Sequence, residues 1–372
     1  MKRQSFQEDL MAIAAGEVKA GRLDRRDFLR LTAAAGSLPA LGALTGVKPA
    51  AAQANEIVLS NFGGDAVNGM SEAWGKPFTA DTGIPVKVEG GVPLAGKIKA
   101  MVESKAVVWD VCDGDGFLCN QLGKQGLLDE VDYTIVDKSK VREGWAWQHG
   151  IANYTYSFIL AYKKELFPDK PPTYADFFDT KKYPGKRTMW KYQMGAMEAC
   201  LLGDGVARDK LYPADLDRAI AKAKTLGDDV IYWESGAESQ QMFLDGEVVM
   251  GNIWNTRASL LERDTQGKVT WTWNDGLYCP SSFVIPKGHP AANEAVQKFL
   301  ASILDPDRQI KLLSLLGNGP TNPAASAKLP SELRRIDPGY PDNVAEQAIR
   351  SEDWYEANYD AAVEKWLDGI TG

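Results

Sequence analysis

Histidine is nearly absent: His149 and His289 are the only two in 372 residues. The four cysteines, Cys112, Cys119, Cys200 and Cys279, make no C-x-x-C pair and no Cys/His spacing that would hold zinc or haem. No metal and no cofactor are therefore expected. An oxidising compartment would permit disulfides, but spacing does not choose the pairs, and small buried thiols are the simpler expectation. The chain also lacks G-x-S-x-G and a full G-x-G-x-x-G or Walker pattern, which removes the usual marks of a hydrolase or nucleotide binder. Without repeats or low-complexity tracts, solenoid and fibrous architectures are set aside. Leu31 to Val47, broken by Gly36, Pro39, Gly42 and Gly46, is too weakly apolar for a stable membrane span.

What is present is an ordinary globular composition, 44% hydrophobic and 25% charged, on a chain longer than one compact core usually holds. Two lobes are expected. Asp24-Arg25-Arg26-Asp27-Phe28-Leu29-Arg30 has the form of a twin-arginine export motif, with Asp24 where Ser or Thr is usual. Ala52-Gln53-Ala54 supplies small residues for a signal peptidase, so residues 1–54 read as a removable address and Asn55 as the mature start. Those 54 residues carry eight Lys or Arg and five Asp or Glu, so the remaining 318 carry −11 against −8 for the whole chain. So acidic a domain is a poor nucleic-acid binder and suits a soluble monomer of the cell envelope, here the periplasm.

Glu56 to Ser60 reads as a strand, followed by the glycine-bearing turn Asn61 to Asp65 and a helix from about Val67 to Thr79. Ile84 to Val88 and Val107 to Val111 read as further strands flanking a helix over Leu94 to Ser104. This alternation argues a parallel sheet in an α/β fold. Cys112-Asp113-Gly114-Asp115-Gly116 fails as an EF-hand, since its first and twelfth ligand positions would be Val111 and Leu122. Its two carboxylates, at a predicted strand end, are either turn residues or binders of a cation, with Asp115 the preferred candidate.

The β-prone run Ile151 to Tyr162 reads as one crossover between lobes and Gly276 to Pro286 as a second, with a separate strand over Lys268 to Trp273. Ser281 and Ser282 offer hydrogen-bond donors there. Lobe 1 is expected to comprise residues 55–153 plus 280–322, and lobe 2 residues 154–279 plus 323–372. In Glu247 to Arg263 the apolar run Val248 to Met250 turns at Gly251 and Asn252 and continues as a helix that carries Trp254, Asn255 and Arg257. Arg257 falls on an otherwise apolar stripe with Ile253 and Leu260, where its desolvation needs an anion from the protein or a ligand.

Several short motifs run in a recognisable order: Phe78 to Val88, Trp109-Asp110-Val111, Gly123 to Leu128, Tyr174 to Phe178, Gly246 to Asn255, Ser281 to Pro290 and Gly317 to Ala325. Together they resemble the periplasmic spermidine/putrescine-binding proteins of ABC importers. The resemblance implies a type II periplasmic-binding fold: two discontinuous α/β lobes, two crossovers, closure on a small solute, a membrane permease as partner and no enzyme activity. Trp254 matches the family's tryptophan. Phe62 and Gly64 stand where an aromatic and a carboxylate are usual, and Tyr192, Gly195 and Ser281 where acidic residues are usual. The cage for a polycation is thus largely dismantled, and Arg257 adds positive charge.

The expected ligand is therefore a small solute bearing an amine and a carboxylate, such as an ω-amino acid or opine. Arg257 would take the carboxylate, Trp254 and Phe62 would form walls, and Asp115 would meet the ammonium. Asn255, Ser281, Tyr192 and Gly64 complete the candidate set. The alternative is a polyamine receptor using Asp65, Asp113 or Glu234, with Arg257 as a structural ion pair. An exported enzyme is the least favoured reading.

Overall fold

The computed structural model describes residues 56–371. The export motif and mature start lie outside these residues. The strands are β1 (Ile57–Ser60), β2 (Val86–Glu89), β3 (Val111–Asp115), β4 (Ala146–Trp147), β5 (Gly150–Lys163), β6 (Lys186–Trp190), β7 (Val230–Trp233), β8 (Val248–Trp254), β9 (Val269–Val284) and β10 (Ala348–Ile349). They form one continuous array in the order β2-β1-β3-β9-β5-β8-β6-β7, with β4 beside β5 and β10 beside β9.

On each flank the pairing is parallel, β2-β1-β3 in one lobe and β8-β6-β7 in the other. The centre is antiparallel: β5 and β9 pair from Ile151 and Phe283 to Lys163 and Val269, with register shifts near Ala152 and Phe158. At about 3.3 Å per residue, β5 and β9 are long enough to run through both lobes. All but one residue of β5 is buried, as expected of a strand covered on both faces. The two crossovers predicted from composition are therefore real, and the Lys268 to Trp273 segment is the first part of β9 rather than a separate strand. The C-terminal helix Glu352–Thr371 touches both lobes. Its Glu356 accepts from Asn120 Nδ2 at 2.8 Å, and its Trp366 Nε1 donates to Lys191 O at 3.0 Å.

Two predicted boundaries shift, each for a local reason. Val107 to Asp110 is not a strand. Asp110 Oδ2 accepts the Val58 N–H and Oδ1 accepts the Ala291 N–H, both at 2.7 Å, so a carboxylate does the work of a ladder rung. The backbone joins β1 only from the Asp110 N–H, which donates to Val58 O at 2.9 Å, and the strand register starts at Val111. Asp113 and Asp115 consequently lie inside β3, not in a turn after it. Gly251 and Asn252 do not turn either. They sit mid-strand in β8 opposite Ala161 and Leu160. A Cβ at Gly251 would stand 2.8 Å from both Phe243 and Thr188, so the glycine serves close packing. Asn252 Nδ2 donates to the Tyr174 hydroxyl at 2.7 Å. The helix begins only at Asn255, which leaves Ile253 and Trp254 in the strand.

The helix after the first turn is also broken into Asp65–Met70, a π-turn at Ser71–Gly75, and Lys76–Thr82, which ends on left-handed Gly83. All four cysteines are buried and unpaired, and burial pushes the Cys119 thiol up to about 12.

Candidate functional site

The segments that follow β1, β6 and β8 converge with the pocket face of β3 on a cleft between the lobes, whose empty space, open mouth included, is about 910 Å³. Ligand crevices of α/β sheets form in this way at carboxyl ends of strands. Phe62, Asp113, Asp115 and Ser281 reach it from one lobe, Trp190, Tyr192, Gln193, Trp254 and Arg257 from the other, and Tyr154 and Tyr156 from crossover β5.

The turn after β1 is held by Asn61, whose Oδ1 accepts the Gly63 N–H at 2.8 Å. Gly64 has a φ of +61°, and a Cβ there would stand 3.1 Å from Arg257 Nη2. Both its backbone and its bareness let Arg257 cross from the opposite lobe. Arg257 Nη2 donates to Gly63 O at 3.0 Å, Nη1 lies 3.4 Å from Asp65 Oδ2, and Nε has no partner among the described residues. Burial lowers the arginine's pKa against the opposing pull of Asp65. Arg257 is thus an ion-paired bridge between lobes whose Nε, packed against Gly236, is left without a partner among the described residues. Beside it Phe62 meets Trp254 edge-on at 5.9 Å, a second contact across the cleft, and Trp254 Nε1 is likewise buried without a partner among the described residues. Trp190 and Trp233 back the Trp254 ring at 5.4 and 4.9 Å.

The opposite pole is acidic. Asp113 and Asp115, two apart on β3, share a face. Asp113 accepts from Tyr154 Oη at 2.7 Å and Asn153 Nδ2 at 3.1 Å, with Ser281 Oγ at 3.1 Å. Burial raises its pKa from 3.8 to about 7, and those three donors oppose the shift. Asp115 Oδ1 accepts from Tyr156 Oη at 2.6 Å and from Arg350 Nη1 at 2.5 Å. Arg350 is fully buried. Burial works against its charge, but Asp115 and Glu352, the latter 2.7 Å from its Nε, hold it charged. Asp115 Oδ2 keeps its lone pairs for the cleft.

Of the residues singled out from sequence, Phe62, Asp115, Tyr192, Trp254, Arg257 and Ser281 come together around the cleft. Gly64 lies behind Arg257 rather than on the lining. Asn255 is a correction. Its Oδ1 accepts the Ser157 N–H at 2.9 Å and its Nδ2 donates to Gly317 O at 2.8 Å, so both ends of the amide fasten backbone. The hydroxyls of Ser281 and Ser282 are not free donors either, being engaged with Gly114 O at 2.7 Å and Asp115 O at 3.0 Å. Of the alternative carboxylates, Asp113 lines the cleft, Asp65 binds Arg257, and Glu234 pairs with Lys191 at the surface. Neither histidine lines the cleft. His289 is buried between Asp110 and Asp129 rather than facing solvent.

Gln193, Arg350 and the tyrosines of β5 were missed. The alternation of Tyr154 and Tyr156 on a strand put both on one face and was a usable signal. Nothing local announced Arg350, which meets Asp115 across 235 residues of sequence.

The chain is similar to the gamma-aminobutyric acid-binding protein of Pseudomonas aeruginosa, with 29% identity over 82% of this chain and 89% of that protein. A solved GABA receptor superposes with a TM-score of 0.76 at 34% identity, covering 85% of this chain and 98% of the receptor. The periplasmic binding protein AgtB of A. tumefaciens R10, solved with agropinic acid, gives a TM-score of 0.79 at 29% identity over 85% of this chain and 99% of its own. The expected two-lobed periplasmic-binding fold is thereby established. The model of the bacterial extracellular solute-binding proteins matches residues 73–341, and the chain belongs to that family.

Proposed function

We propose that this protein is the receptor of an ABC importer for a small zwitterion, an ω-amino acid or an opine-like solute, which it hands to a membrane permease. The observation that carries this reading is the polarity of one cleft. A buried guanidinium with an unpartnered Nε stands on one lobe, and two carboxylates stand on the other, with aromatic rings between them. A ligand carboxylate at Arg257 would accept charge-assisted hydrogen bonds, each contributing about 1.5–3 kcal/mol. An ammonium would sit against Asp115 Oδ2 and Asp113, with the tyrosine faces of β5 adding cation–π attraction. A diamine would bring its second ammonium against Arg257, a charge the buried pole does not neutralise. GABA, the ligand for which two of the relatives are named, carries a carboxylate at one end and an amine at the other.

A solute spanning the cleft adds contacts that exist only when the lobes touch, and so shifts the equilibrium toward the closed form the permease recognises. The protein works outside the cytoplasmic membrane, which in a Gram-negative cell is the periplasm. We further propose lobe limits as read from the sequence, export by the twin-arginine translocase, a monomeric state and no catalysis. Mass spectrometry of small molecules that co-purify with the protein tests the ligand class. An amino acid or opine is expected; a di- or polyamine with no carboxylate would overturn it.

A further inference from the structure

Gln193 is fully buried and lines the cleft, yet neither its Oε1 nor its Nε2 has a hydrogen-bond partner among the described residues. Leaving both ends of a buried amide unmet is costly, and whichever way the amide is turned the same two demands remain. The backbone that carries it is held in place. The backbone after it leaves helical geometry at Met194, with ψ of 128°, and at Gly195, with φ of +77°. Glu198 pins that kink by accepting the Gly195 N–H at 2.8 Å, and a Cβ at Gly195 would lie 2.3 Å from the Phe158 ring.

Its neighbours place Gln193 between the two poles. On one side the Tyr192 ring lies 5.0 Å from Trp190, which in turn lies 5.4 Å from Trp254. On the other side Met194 Sδ lies 3.9 Å from Tyr156 Oη and 3.0 Å from Arg350 Nη1, beside Asp115. A ligand's carboxylate and ammonium already have partners at the ends, namely Arg257 Nε with Trp254 Nε1 and Asp115 with Asp113. Gln193 asks for something else, a donor and an acceptor at the middle of the ligand.

We infer that Gln193 determines specificity by selecting a zwitterion that carries a hydroxyl or amide between its charged ends, in preference to an unsubstituted ω-amino acid. A hydroxyl meets both demands at once, donating to Oε1 and accepting from Nε2. A plain methylene chain leaves both unmet, and such mismatches at a polar site discriminate strongly. This inference rests on the zwitterion reading above.

The test compares 4-aminobutanoate with 4-amino-3-hydroxybutanoate, which differ only in the central hydroxyl, by calorimetry on the wild type, Gln193→Leu and Gln193→Met. The wild type should prefer the hydroxylated compound by about tenfold or more, and in both variants the ratio of the two affinities should fall to within about threefold of one. Equal binding of the two compounds by the wild type, or a preference that survives in both variants, overturns the inference and leaves the zwitterion reading standing. A folded wild type that binds neither compound but binds putrescine overturns both.

Discussion

Replacing Arg257 with methionine should separate its bridging contacts from its proposed ligand contact. Two bridging interactions are lost with the guanidinium. The pair with Asp65 is 3.4 Å long, and the Asp65 side chain is 57% exposed, so it contributes about 0–1 kcal/mol. The 3.0 Å bond from the charged guanidinium to Gly63 O adds about 1.5–3 kcal/mol. Against both stands the desolvation of a buried cation, the burial that lowers its pKa, which methionine does not incur. Stability should consequently change little. A carboxylate bonded at Nε would lose about 1.5–3 kcal/mol. At 1.4 kcal/mol per decade, affinity for 4-aminobutanoate should fall about 10- to 100-fold. Isothermal calorimetry and thermal melts of the unliganded protein read the two quantities. A melting temperature that collapses while the dissociation constant of refolded material moves less than about threefold would refute the reasoning and make Arg257 a structural bridge. Asp65→Ala, which removes only the exposed partner, should move affinity by less than about fivefold.

The raised pKa of Asp113 gives a pH signature. In the folded protein Asp113 keeps its proton up to about 7, whereas in the unfolded chain it loses it near 3.8, so its contribution to stability falls as pH rises across that window and is level above it. An ammonium beside Asp113 favours the carboxylate. Amine binding should therefore release a proton and tighten between about pH 6 and 8, and Asp113→Asn should flatten both the profile and the buffer dependence of the binding enthalpy. Arg350→Met strips Asp115 and Glu352 of their buried partner and should cost about 3–5 kcal/mol in denaturant unfolding; a loss below about 1 kcal/mol would contradict the buried triad. Phe62→Ala removes one half of the 5.9 Å contact with Trp254 and should weaken ligand binding by about 2- to 10-fold with little change in melting of the free protein. N-terminal sequencing of exported material should begin at Asn55; a chain that retains Arg25 and Arg26 would contradict the export reading.

The first crossover was legible because β5 is breaker-poor and rich in β-branched and aromatic residues, a pattern that burial on both faces demands. The second shows through Gly276 and Pro280 by its apolar and aromatic residues Leu277, Tyr278, Phe283 and Val284. Trp254 and Arg257 were found because a cation on an apolar stripe and an aromatic beside it require explanation wherever the helix starts. Gly251-Asn252 misled because turn composition and close strand packing draw on the same residues. β3 was placed too early because a side chain, Asp110, took over backbone pairing, which no propensity scale registers. Asn255 looked like a ligand contact because its neighbours line the cleft, while its bonds to Ser157 and Gly317 join segments far apart in sequence. Gln193 lay unremarked beside Tyr192, since only burial in three dimensions leaves its amide unpaired.

The central claim is that one pole of the cleft takes a carboxylate and the other an amine. Calorimetry of the purified mature protein with 4-aminobutanoate, an opine and putrescine under one buffer condition tests it directly. The account predicts that at least one of the two carboxylate-bearing zwitterions binds more tightly than putrescine by at least about tenfold, the equivalent of one charge-assisted hydrogen bond. Tighter binding of putrescine than of either zwitterion would contradict it.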